Sequence, residues 1–255
     1  MTEFFWLPPD VETWAAALMV AASFATSFIT AAFGIGGGMM LVAILAVLLP
    51  PAALIPVHGV VQVGSNLGRA LIMLRHVQTT VILPFTLGSA LGAALGGVLF
   101  IQFPPWAVQF GIAGFVVWSV LGKLPALGKR HFFLGGAFSS FLTMFFGATG
   151  TFVVGMVKGL KLPPLEHLAT HSTLMTLQHL VKSVVFGVLG FAFGPYLWLV
   201  IGMLVSGFIG TVIGKHILVR MGARYFHPIL NGILLVLAAR LVWSGVEGLL
   251  GRPLL

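Results

Sequence analysis

The chain of 255 residues contains no cysteine. That excludes disulfides, thiolate metal sites and any transport chemistry that passes sulfur through a protein thiol. Acid is nearly absent too, with 5 Asp and Glu against 13 Lys and Arg. Charged residues of both signs make up 7% of the chain, where a soluble domain carries about 25%. A chain so poor in charge cannot cover its surface for water. After Glu12 the only acids are Glu166, near the start of an apolar segment, and Glu247, near the C-terminus. Cation carriers and proton pumps usually place carboxylates in the path, and here there are almost none to place. No zinc-binding His-x-x-x-His with a catalytic Glu is present, and no P-loop with its Lys and Ser/Thr. Ser172 and His171 are neighbours that point about 100° apart on a helix, so they form no nucleophile–base pair. These absences argue against an enzyme and call for no cofactor and no metal.

What remains is apolar: 59% of the residues are hydrophobic. Crossing the hydrocarbon layer takes a helix of about 20 residues. Continuous apolar runs divide at proline, glycine and charge into residues 11–33, 39–49, 52–74, 77–101 and 106–122, then 132–146, 152–160, 165–190, 196–218 and 227–249. Strands of a membrane barrel would alternate in polarity, so these runs predict helices. The segment before each Pro-Pro pair is too short to span and reads as a re-entrant limb or half of a broken helix. The N-terminal stretch has acids and no basic residue, unlike a cleaved signal peptide, so residues 11–33 are expected to be a retained first helix. The net charge of +8 sits mostly in short loops, at Arg75, at Lys123, Lys129 and Arg130, and at Arg220 and Arg224. This is the pattern of cytoplasmic loops, and it makes a nucleic-acid partner a poor reading. His76, His131, His216 and His227 fall at loop edges and are expected at the interface.

The two halves of the sequence resemble each other. Phe33-Gly34 recurs at Phe146-Gly147, Pro50-Pro51 at Pro163-Pro164, His58 at His171 and Arg69 at Lys182, all 113 positions apart. Gly92, Gly96 and Gly114 recur at Gly210, Gly214 and Gly232, 118 apart, as a five-residue insertion near residues 191–195 would give. Internal duplication is common in secondary transporters. The expected fold is therefore an all-α integral membrane protein of about eight transmembrane helices, with short re-entrant or broken segments. Its first repeat is residues 1–122, its hinge 123–131 and its second repeat 132–255. An acidic N-terminus outside and basic loops inside make the repeats inverted, although a parallel arrangement stays open. Lys158, Lys161 and Lys182 fit that orientation poorly unless they lie in a cavity.

Two features point to a binding site. On the helix after the first Pro-Pro pair, His58, Gln62, Asn66 and Arg69 fall within about 80° of one another. His171, Gln178, His179 and Lys182 form the second stripe. Polar groups on lipid-facing surfaces are costly, so both stripes should face the interior or a water-filled cavity. The competing reading is that Arg69 snorkels to a headgroup and that the amides and imidazoles join helices. The other feature is Gly34-Ile35-Gly36-Gly37-Gly38 before Met39, matched by Gly147-Ala148-Thr149-Gly150-Thr151. A helix starting there would aim its positive end and free N–H groups at an anion. The residues expected around the solute are thus Gly36, Gly37, Gly38, Met39 and the first stripe, with Thr149, Gly150, Thr151 and the second. The glycines of residues 88–97 and 202–214 read as helix-packing faces.

The run FGIGGG at residues 33–38, Pro50-Pro51, Gly88-Ser89-Ala90-Leu91-Gly92 and Gly96-Gly97 resemble the TauE/SafE-type sulfite exporter family. Residues 146–151, 167–173 and 207–215 are similar to the same pattern again, with GATGT in place of the glycine-rich run. The resemblance implies a duplicated carrier in a bacterial-type cytoplasmic membrane that exports sulfite, sulfoacetate or a related sulfonate. Its partners would be the small anion and the lipid bilayer, and a homodimer is compatible with it. A channel or an accessory subunit for another anion is the alternative.

Overall fold

The computed structural model describes residues 7–8, 10–33, 36–100, 103–122, 129–217 and 226–251. Gly34, Ile35, Arg220, Arg224 and most of the expected hinge, residues 123–128, lie outside the described residues, as do the side chains of Lys129, His216 and His227. Helices make up nearly everything that is described, with no strand among those residues. In chain order they are α1 (Thr13–Phe33), α2 (Gly37–Leu48), α3 (Pro51–Ile72), α4 (Ile82–Phe100) and α5 (Pro105–Leu121), then α6 (Phe132–Phe146), α7 (Gly150–Lys158), α8 (Pro164–Val188), α9 (Leu197–Ile217) and α10 (Phe226–Leu250).

The breaks have local causes. Pro51, Pro105 and Pro164 each open a helix, where a fixed φ helps and a missing N–H costs nothing. The chain leaves α6 through Gly147 at φ 77, a conformation that a side chain would strain. Among the described residues, four helices are long and apolar enough to cross a membrane by length and composition, at Thr13–Ala32, Thr79–Phe100, Gly194–Gly214 and Asn231–Leu250. The helices α3 and α8 are as long but carry the polar stripes.

The surface is apolar and the polar groups are inside. On α4, Leu83, Leu87, Leu91 and Leu95 are exposed, while Gly88, Gly92 and Gly96 on the opposite face are buried. In lipid the hydrophobic effect does not drive helices together, so close packing of small residues has to. A Cβ at Gly92 would collide with the carbonyl oxygen of Ala137 on α6, and one at Gly210 with that of Phe24 on α1. These contacts lie where the 113- and 118-residue correspondences map one onto the other. Ser206, 118 positions after Gly88, donates a hydrogen bond of 2.7 Å to the carbonyl of Val20.

The contacts also set directions. Gly88, Gly92 and Gly96 meet Phe133, Ala137 and Phe141 in rising order, so α4 and α6 run parallel. Gly210 and Gly214 meet Phe24 and Phe28, so α9 and α1 do as well. By contrast, Gly59 on α3 packs on Lys182 while the chain just past α3 bonds to Thr170, so α3 and α8 are antiparallel. Helices α5 and α10 are antiparallel too, with Gly245 against Phe110 and Gly248 against Trp106.

One end of the molecule gathers Val81, Phe132, Val157, Leu160 and Leu162 in a single apolar cluster. Arg75, Arg130, Lys158 and Lys161 flank these residues in the chain, so Lys158 and Lys161 lie at the same end as Arg75. They share that end with Arg130 as well, while the basic positions Lys123, Arg220 and Arg224 lie outside the described residues. Pro51, Phe103, Pro105 and Phe191 surround an apolar groove elsewhere, where α3 and α5 begin and α4 and α8 finish.

Candidate functional site

The helices α3 and α8 cross beside the starts of α2 and α7. A cavity of about 40 Å³ opens there, lined by Thr30, Gly36, Gly38, Met39, Gln62, Asn66, Arg69, Ala148, Gly150, Thr151, His171, Met175 and His179. Its walls hold two unfinished helix ends. In α2 the first internal bond is donated by Met40, to Gly36, so the N–H groups of Gly37, Gly38 and Met39 precede it. In α7 the bonds begin with Phe152 and Val153, both to Thr149. Neither start is capped by a side chain. Uncapped N–H groups and the aligned peptide dipoles make such ends attractive to anions.

Glycine is required at the α2 start for packing as well as for access. A Cβ at Gly37 would overlap Thr26 and Thr30 of α1, and one at Gly38 would press on Gln62 at 3.2 Å. The helix end therefore reaches the cavity only because these positions carry no side chain.

The cationic wall comes from α3. Arg69 is 5% exposed although it lies in the last turn of its helix, so it does not snorkel outward. Its guanidinium donates to Asn66 Oδ1 at 2.8 Å and to Ser65 Oγ at 3.4 Å, while Nε has no partner. Asn66 in turn donates to Gln62, at 2.8 Å to the carbonyl oxygen and 3.2 Å to Oε1. The chain thus orients its arginine with neutral acceptors, and no carboxylate lines the cavity. An unopposed buried cation with donors to spare is suited to an anion.

Behind the walls a second set of bonds holds the α7 start in place. Gln178 donates to Thr149 Oγ1 at 2.7 Å and accepts from Ser139 Oγ at 2.9 Å, tying α8, α7 and α6 together. Lys182, fully buried, donates to the Gly147 carbonyl oxygen at 3.0 Å, which also accepts from Thr143. A cation at the C-terminal end of α6 suits the helix dipole. His58 Nε2 and Gly38 O are 3.0 Å apart, and His171 Nε2 and Gly150 O are 3.2 Å apart.

Of the residues expected around a solute, Gly36, Gly38, Met39, Gln62, Asn66, Arg69, Gly150, Thr151, His171 and His179 line this one cavity. Gly37, His58, Thr149, Gln178 and Lys182 do not; they buttress it. Thr30, Ala148 and Met175 line it without having been singled out. Met175 was within reach, since it lies 113 positions from Gln62. Thr30 was not, because only the packing of α2 on α1 brings it in. Among the described residues no group of His, Asp and Glu is placed to hold a metal ion.

Comparison with known proteins adds one finding. The family model described as sulfite exporter TauE/SafE matches residues 19–241. No curated protein and no solved structure matches the chain at a significant level.

Proposed function

Because the chain belongs to the sulfite exporter TauE/SafE family, whose members are membrane transporters, we propose that it exports a small sulfur oxyanion through the cavity between α3 and α8. The observation that carries this reading is the convergence of two uncapped helix starts and Arg69 on one space without a carboxylate. Sulfite is the preferred solute over sulfoacetate or a larger sulfonate. A water needs about 10–15 Å³ of such volume, so 40 Å³ corresponds to about three waters, or one compact oxyanion. Thr30, Thr151 and Gln62 would bond its oxygens, and Met39 and Met175 would face its less polar side.

The transport cycle proposed is alternating access between two inverted repeats, residues 1–122 and 132–255. Support comes from the helix directions. The sequence correspondence pairs α3 with α8 and α5 with α10, and each of these pairs is antiparallel. A two-fold axis relating the halves would then lie across the helices, in the plane of a membrane, as in other inverted-repeat carriers. The basic end would face the cytoplasm of a bacterial-type cell. An inside-negative potential favours outward movement of an anion by about 2.3 kcal/mol per charge per 100 mV.

The test is efflux of labelled sulfite, sulfoacetate and a carboxylate control from proteoliposomes under an imposed potential. Saturable sulfite efflux, faster than that of the carboxylate, is the expected result. Flux equal to that of protein-free vesicles for every solute would reject the reading.

A further inference from the structure

Between α3 and α8, beside the cavity, two histidines form a pair that anion binding alone does not explain. The rings of His58 and His179 meet edge to face with centroids 5.7 Å apart and planes at 79°. Exposure is 0% for one and 1% for the other. The Nδ1 atoms of both are buried and neither forms a regular hydrogen bond, although the Gly147 backbone lies close to the His58 ring. Leaving such a group without a regular partner is costly, so two together on facing helices ask for a reason. The pair is also connected to the site. His179 lines the cavity, and His58 contacts the carbonyl of Gly38, whose helix start forms the cavity wall.

We propose that the His58–His179 pair takes up one proton when the anion enters, and that proton and anion cross together; this rests on the transport reading above. The charges around the pair supply the reason. Among the described residues, Arg69 on α3 and Lys182 and His171 on α8 are the titratable groups near it. The helices α1, α2, α4, α5 and α6 carry no titratable residue facing it, and Lys158 at the far end of α7 is exposed. With the cavity empty, Lys182 and Arg69 oppose a further positive charge in a medium of low dielectric. An anion offsets them and makes protonation of an imidazole favourable. The linkage is reciprocal, so the proton strengthens anion binding by the same factor. A chain without a carboxylate in its path thereby gains a proton carrier from imidazole, the side chain whose ordinary titration range lies closest to neutrality.

The experiment has three readings on full-length protein in lipid. Saturable efflux of labelled sulfite from proteoliposomes comes first; its absence overturns the transport reading and the coupling with it. The second is nitrogen-15 NMR of histidine-labelled protein at one pH, with and without saturating sulfite, the signals being assigned with His58→Gln and His179→Gln. One ring passing from a neutral imidazole to an imidazolium as sulfite saturates is expected. A sulfite-dependent change in other signals with both rings still neutral overturns the proposal. The third is the charge moved per labelled anion, which is independent of rate. The double variant H58Q/H179Q should carry one more negative charge per anion than the wild type, and an equal ratio overturns the proposal. Should the double variant fail to transport, the ring signals of the wild type decide.

Discussion

Arg69 carries the residue-scale argument. Its counterpart under the sequence correspondence is Lys182, yet the two cations do different things. Arg69 faces the cavity and keeps an unpartnered Nε, whereas Lys182 spends its donor on the Gly147 carbonyl. A hydrogen bond to a charged group contributes about 1.5–3 kcal/mol, so Arg69→Gln should raise the sulfite KM by roughly 10- to 100-fold with insertion retained. Saturation curves for efflux at matched protein density check this, and an unchanged KM would remove Arg69 from the site. Both cations were legible in the sequence because charge is so scarce there. Their division of labour was not, since it depends on where α6 ends and on the positive φ of Gly147.

At the scale of helices, the glycines decide how near two backbones come. A Cβ at Gly92 would strike the Ala137 carbonyl, which belongs to rigid backbone and cannot step aside. Gly92→Ala must therefore separate α4 from α6, losing contacts along the whole interface. Gly114 on α5 has nothing within 4 Å of where its Cβ would sit. There an alanine gains helix propensity, up to about 1 kcal/mol. Thermal unfolding in detergent should show a marked drop in midpoint for Gly92→Ala and none for Gly114→Ala. Equal midpoints would mean that the close approach does not hold this pair together. The sequence predicted packing glycines here, because small residues at four-residue spacing form one helix face. Which helix each face meets could not be read, since partner choice is a long-range outcome.

At the scale of the molecule, the arrangement of charge predicts sidedness. The absence of native cysteine makes single-cysteine labelling clean. Arg75, Arg130 and Lys158 are all exposed, and all flank the apolar cluster at one end. Phe103, 48% exposed, lies by the apolar groove away from it. In oriented vesicles, Arg75→Cys, Arg130→Cys and Lys158→Cys should react with a membrane-impermeant maleimide from one side, and Phe103→Cys from the other. Reaction of Lys158→Cys from the side opposite Arg75→Cys would overturn the arrangement. The sequence left Lys158 and Lys161 as exceptions because it showed α7 to be short but not at which end of the molecule it finishes, which only its packing decides.

By itself the sequence determined the solvent and the secondary structure, and it supplied the reason to propose an anion. Scarce charge and long apolar runs require lipid, Pro-Pro and glycine breaks set the helix ends, and the scarcity of acid beyond Glu12, with only Glu166 and Glu247, favours an anion. The segment expected at residues 132–146 coincides with α6. Tertiary structure decided which polar residues meet. The two stripes lie on helices separated by about a hundred positions, and only their antiparallel contact puts Arg69 and His171 on one cavity and leaves Lys182 outside its walls. Periodicity is a local property of the chain and shows which way a side chain points along its own helix. What it points at is settled by packing between distant segments, which no single stretch of sequence contains.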